Sequence, residues 1–310
     1  MSTSFSPFPI RNTNIVSTID VNAAGTMLAI GRQANSEAEI ALGVWWLEDQ
    51  RLIMTVINGP APAPNVARFS PCGNYLAFAD ENQNFAIVDL RSGQTPPAAL
   101  QLRQTKYMAF SKDGGRLIVG GATTQVWDME RSAVIWTLPD HPNPPNTNVG
   151  LSRCALGADG RFVVASGLER GRFTNFDVDA GVIVGHLPGT MDNARSLALD
   201  PSGRFVAGVA QNGGVGLWDM ALQKRLWQRR LNLEANYYWC TNFHPGGQHV
   251  GFGLWSGFLE IINIETGSYA LDQNAPPHKG RVWDVAFSAD GKRMFSGGDD
   301  GVVLIWELRL

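Results

Sequence analysis

Seven times along the chain a short alternating apolar run stops at a polar turn containing glycine and resumes as a second apolar run. The copies begin VNAAGTMLAIG (21–31), FSPCGNYLAFA (69–79), FSKDGGRLIVG (110–120), LGADGRFVVAS (156–166), LDPSGRFVAGV (199–209), FHPGGQHVGFG (243–253) and FSADGKRMFSG (287–297). Alternation of apolar and polar positions predicts half-buried strands, and two such strands across a short glycine-bearing turn predict an antiparallel hairpin. The turn glycines are Gly25, Gly73, Gly114, Gly160, Gly203, Gly247 and Gly291, spaced by 48, 41, 46, 43, 44 and 44 residues.

A third strand follows each hairpin, and its end repeats too. Trp127-Asp128, Phe176-Asp177, Trp218-Asp219 and Trp306-Glu307 are strong versions; Val88-Asp89 and Ile262-Asn263 are weaker ones. In five of the seven units this position lies 15 or 16 residues after the turn glycine. A period in the low forties with several strands per period is the pattern of a propeller blade. With these endings the chain resembles the WD-repeat β-propeller family over essentially its whole length. The resemblance implies an all-β fold, a seven-bladed β-propeller of four-stranded antiparallel blades, read as a single domain over 1–310. Strand a of each blade would lie nearest the axis and strand d outermost.

The last copy supplies strands a, b and c only, ending near Leu308. An open edge would remain there. The segment around Phe5–Arg11 is expected to fill it as the outer strand, where proline is tolerated. Deleting the first dozen residues should then cost stability. The resemblance also implies a buried tetrad of His, Ser, Asp and Trp in each blade. Only the last blade carries all four, as His278, Ser296, Asp300 and Trp306. The other blades are expected to rely on strand pairing and inter-blade packing.

Composition narrows the setting. The chain is 44% hydrophobic and 17% charged, with a net charge of −3 and a pI near 6.0. That balance predicts no broad basic field, so direct binding of duplex nucleic acid is not expected. No apolar run reaches the length of a membrane span, and the first residues do not read as a secretory signal. Cys72, Cys154 and Cys240 are odd in number and far apart, which argues against a disulfide framework. Together these favour a reducing compartment, cytoplasmic with the nucleus also open. Arg outnumbers Lys by 20 to 5, a bias that either codon usage or a need for planar bidentate donors would produce.

No catalytic signature is present: no Gly-x-Ser-x-Gly elbow, no phosphate-cradling loop, no His-Glu-x-x-His. His244 and His249 flank a turn without nearby Cys or carboxylate partners, so no metal and no cofactor is expected. Asp299-Asp300 falls in a b–c turn, where Asp300 is expected to act as a structural acceptor. The resemblance places the d–a and b–c loops on one face around the channel mouth. Positions six and four before the end of strand a would converge there: Ile15/Ser17, Ala63/Asn65, Gln104/Lys106, Gly150/Ser152, Asn193/Arg195, Tyr237/Trp239 and Arg281/Trp283. From the b–c turns Glu81, Glu169, Gln211, Trp255 and Asp299 would join them.

That ring is uneven. Blades one to four give small and polar side chains, whereas Tyr237, Trp239, Trp255, Arg281 and Trp283 cluster on blades five to seven with Arg195 beside them. Trp, Tyr and Arg carry much of the energy of protein interfaces. Such side chains either fill inter-blade core or form a partner-binding patch with Lys106 and Asp299. A patch of this kind suits a peptide with an acidic or phosphorylated residue, and equally a peptide arginine or methyl-lysine held by the aromatics.

The leading expectation is therefore a non-enzymatic scaffold or adaptor that docks a protein or peptide at the channel mouth, within a larger complex. A metal or small-molecule enzyme would instead use Asn65, Asn193, Glu81 and Glu169 converging on the axis. A third reading is single-stranded RNA or a ribonucleoprotein, held by stacking and a few arginines.

Overall fold

The structure is a computed structural model, and it describes residues 4–8, 14–61, 63–80, 85–94, 105, 107–121, 124–137, 154–166, 173–188, 194–210, 213–230, 237–271 and 276–310. The chain forms seven antiparallel sheets arranged as a seven-bladed propeller. Strand a of every blade contacts strand a of the next, and strand a of blade seven (Val282–Phe287) contacts that of blade one (Val16–Val21), so the ring closes.

All seven hairpin turns are the same object. Each turn glycine has a positive φ between 67° and 74°. Its N–H donates to the carbonyl three residues back at 2.8–2.9 Å, as in Gly25 to Asn22 and Gly291 to Ser288. A β-turn followed by a left-handed residue returns the chain in register, and glycine reaches that region without a Cβ penalty. The residue accepting that bond often secures the turn from its side chain as well. Ser111 Oγ, Asp200 Oδ1 and Ser288 Oγ accept the backbone N–H five residues on, at 2.9, 2.6 and 2.9 Å.

The N-terminal strand closes the last blade. Ser4–Phe8 pairs antiparallel with Val303–Glu307, from Ser4 opposite Glu307 to Phe8 opposite Val303. Phe8 is buried with Val16, Ile30 and Phe295, and the Phe5 ring lies 4.7 Å from Trp306. The strand thus covers the expected edge, with Pro7 within it. Residues 9–11 of the expected strand lie outside the described residues. Five blades show four strands; blades two and six show three among the described residues. In blade six a single bridge, Ile262 to Tyr269, stands in the place of an outer strand.

Strand a exposes an unpaired edge toward the channel, and buried backbone donors need acceptors. Side chains from the neighbouring blade supply them. Asp284 Oδ2 accepts Ile19 N–H at 3.1 Å, Asp20 Oδ2 accepts Phe69 N–H at 2.7 Å, and Ser196 Oγ accepts Thr241 N–H at 3.2 Å. On the face carrying the hairpin turns, three side chains reach the next blade's turn glycine. Arg116 donates to Gly160 O at 2.9 Å, Arg293 donates to Gly25 O at 3.0 Å, and His244 Nε2 meets Gly291 O at 2.9 Å. His244 therefore serves the blade six–seven seam, its ring 5.5 Å from Phe287, and His249 lies behind it at 6.0 Å within blade six.

Candidate functional site at the channel mouth

The mouth is organised by the Asp299-Asp300 turn of blade seven. Trp306 Nε1–H donates to Ser296 Oγ (2.9 Å), Ser296 lies 2.8 Å from His278 Nε2, and His278 Nδ1 lies 3.1 Å from Asp300. With the proton on Nδ1, every donor in this buried chain has an acceptor. Asp300 also accepts Lys279 N–H at 2.9 Å. Burial opposes its charge, but the His278 and Lys279 bonds prevail and hold its carboxyl below the usual range. Next to it Asp299 Oδ2 accepts Arg281 N–H at 3.0 Å, and Oδ1 accepts Trp283 Nε1–H at 2.6 Å. The loop from His278 to Arg281 is thereby tied down at both ends, and Gly280 within it has φ +116°. That clamp aims Arg281.

Arg281 is enclosed by aromatics. Its guanidinium carbon lies 3.8 Å from the Trp255 ring centroid, 4.2 Å from that of Trp283 and 4.3 Å from that of Trp239. The Trp239 ring is 5.3 Å from both Trp255 and Trp283, at 60° and 79°. Arg195, from strand a of blade five (Ala194–Leu199), places its guanidinium 4.1 Å from the Trp239 centroid. Three indoles and two arginines from three blades form one stack. Trp255 and Tyr237 keep 38% and 41% of their surface exposed. Trp239, Trp283 and both arginines are half-buried. Tyr237 lies against Gly213, where any side chain would collide with its ring.

The electrostatics of the stack are unbalanced. Arg281 Nε is 3.7 Å from Asp299 Oδ2, too far for a hydrogen bond. The Nε atoms of Arg195 and Arg281 are buried without a hydrogen-bond partner among the described residues. Burial pushes both guanidinium pKa values down; Arg281 lowers Arg195 further, whereas Asp299 pulls Arg281 back up.

Six of the partner-binding residues expected from the sequence, Arg195, Trp239, Trp255, Arg281, Trp283 and Asp299, thus meet in one cluster, with Tyr237 at its rim. Lys106, Glu81, Glu169, Asn193 and Gln211 lie outside the described residues. At blades one and two the corresponding side chains brace the ring. Ser17 Oγ donates to Pro64 O at 2.6 Å, and Asn65 Nδ2 donates to Asp80 O and Thr105 O at 3.1 and 3.2 Å.

Below the mouth the channel encloses a cavity of ≈ 980 Å³, whose wall includes Arg195, Trp239 and Trp283. Sequence reasoning missed its charged lining. Asp20, Arg68 and Asp284 project from strands a of blades one, two and seven, with Arg68 Nη1 3.2 Å from Asp284 Oδ2 and 3.1 Å from Thr18 Oγ1. Burial raises the Asp20 pKa to about 6 despite Arg68. The available signal was a charge next to the last apolar residue of strand a in VSTIDV and NVARF. A smaller pocket of ≈ 260 Å³ opens between blades one and two and ends on Trp283.

The profile of the WD domain, G-beta repeat, matches residues 273–307, the last blade. That match, the seven-bladed ring and its registered turns together support a WD-repeat β-propeller. Among its relatives is transcription factor unc-37 of Caenorhabditis elegans, 25% identical over 68% of this chain and 33% of the relative. The U3 small nucleolar RNA-associated protein 12 of Saccharomyces cerevisiae is 27% identical over 40% of this chain and 12% of its own length. WD repeat-containing protein SL1-17 of Schistosoma mansoni is 24% identical over 52% of both chains. The chain spans about half or less of each of these proteins.

Proposed function

We propose that this propeller is a non-enzymatic interaction module that docks a protein or peptide at the channel mouth over blades five to seven. The observation that carries the reading is the stack of Trp239, Trp255, Trp283, Arg195 and Arg281, which assembles the preferred residues of interface hot spots on one rim. Trp255 within the stack and Tyr237 at its rim remain open to solvent, although the rest of the stack is half-buried. A surface of that kind gains by covering. The names of the relatives include a transcription factor and a small nucleolar RNA-associated protein; from them we carry over only action inside the cell within a larger assembly. The enzyme reading is weakened by Asn65, whose amide already bridges two backbone carbonyls instead of facing a metal. Nothing favours a second reading over this one.

Affinity capture from the source cells tests it, comparing wild type with Trp239→Ala/Arg281→Glu/Trp283→Ala at matched melting temperature. Partners lost with the variant support docking at the mouth; partners retained would move the search to the rim or the turn-bearing face.

A further inference from the structure

An aromatic cage can hold a ligand cation only if the cage is empty, and this one contains Arg281. Its guanidinium sits 3.8–4.3 Å from three indole centroids, the distance at which a bound cation would lie. The chain's own side chain has taken that place. The Asp299 clamp on the Arg281 backbone and on Trp283 Nε1 keeps it there.

What remains unmet is positive. Three charged groups touch the indoles among the described residues: Arg195, Arg281 and Asp299. Asp299 directs one oxygen to Trp283 Nε1 and the other to Arg281 N–H, and its nearest guanidinium contact is 3.7 Å. Two half-buried cations therefore share one indole against a single carboxylate already engaged elsewhere. Their mutual repulsion is a cost that one added anion would remove. The excess of one positive charge is matched by a carboxylate; a doubly charged phosphate would over-compensate it.

We infer that the mouth binds an extended acidic peptide, with an Asp or Glu carboxylate seated against Arg195 and Arg281 and a neighbouring apolar side chain in the pocket beside Trp283. This inference rests on the docking reading above and specifies its ligand. The pocket has an apolar side of Ile15, Ala34, Ala61 and Ala63 facing Ser17, Gln33 and Asn65, so a small apolar group fits against the first side. The exposed face of Trp255 covers the peptide stem.

The test uses the full chain and fluorescein-labelled nonapeptide pools whose central residue is Glu, Gln, phosphoserine, Lys or trimethyl-lysine. Flanking positions are randomised over uncharged residues, and binding is read by anisotropy. The Glu pool should bind about 10-fold or more tighter than the Gln pool, the ratio expected of charge-assisted hydrogen bonds. Arg195→Gln should abolish that ratio, and Arg195→Lys should retain part of it; both are checked by melting temperature, and Arg195 lies outside the three-indole enclosure of Arg281. Preference for Lys or trimethyl-lysine would overturn the inference, since Arg281 would then have to vacate its cage. So would a phosphoserine pool about 10-fold tighter than the Glu pool. Equal binding of the Glu and Gln pools, lost in Trp255→Ala, overturns the anion while leaving docking at the mouth intact. Absence of binding by every pool counts against both.

Discussion

Asp20 shows how a single residue can work against the fold it belongs to. Its carboxylate caps Phe69 N–H at 2.7 Å, yet burial in the channel wall raises its pKa to about 6, from an ordinary value of 3.8. Between those values the folded state holds a proton that the unfolded chain has released. Stability from this group is thus full below pH 3.8 and lost as pH rises through about 6. Asp20→Asn keeps an acceptor for Phe69 and removes the titration. The variant should gain about 1–3 kcal/mol at pH 7 and lose its pH dependence between 4 and 6. Denaturant midpoints at pH 4, 5, 6 and 7 check this; a parallel shift at every pH would refute it. At the same scale His278→Ala takes away the acceptor of the buried Ser296 hydroxyl and one donor to Asp300. It should cost about 2–4 kcal/mol and weaken whatever binds beside Arg281, because Lys279 N–H and Arg281 N–H are held by the same Asp300-Asp299 turn.

At the scale of elements, the hairpin turns separate backbone strain from steric conflict. Gly203 has φ +73° and open space around its missing Cβ, so Gly203→Ala should cost about 1–2 kcal/mol from conformation alone. Gly291 has φ +70°, but there an added Cβ would collide with His244, which bridges blades six and seven. Gly291→Ala should cost clearly more, and chemical denaturation of the pair reads the difference. The closing strand offers a second comparison. Phe8→Ala empties a buried site between the first and last blades and should cost about 3–5 kcal/mol. Deleting residues 1–8 also frees the Val303–Glu307 edge, so that chain should melt lower still and aggregate through the open strand. A deletion that melts with wild type would remove the closing strand from the account of stability.

The whole molecule joins its first and last blades through a handful of long-range bonds. Ser4–Phe8 pairs with Val303–Glu307, Asp284 accepts Ile19 N–H, and Arg293 reaches Gly25 O. The sequence by itself determined the blades. A turn that needs φ near +70° admits glycine readily, and alternating strands on either side must bury one face, so seven registered glycines were legible as seven hairpins. The missing strand of the last blade was legible for the same reason: an open apolar edge demands a partner. Residues at equivalent mouth positions could also be read off, because register repeats with the turns. Their mutual arrangement could not. Whether Arg281 faces solvent or sits among Trp239, Trp255 and Trp283 depends on the ring bringing three blades side by side, and on an Asp299 carboxylate holding the Arg281 backbone and the Trp283 indole. The channel group of Asp20, Arg68 and Asp284 has the same origin, since its members come from opposite ends of the chain. Local pattern sets strands and turns through backbone sterics and burial; the contents of a site shared between blades are decided only when closure makes distant residues neighbours.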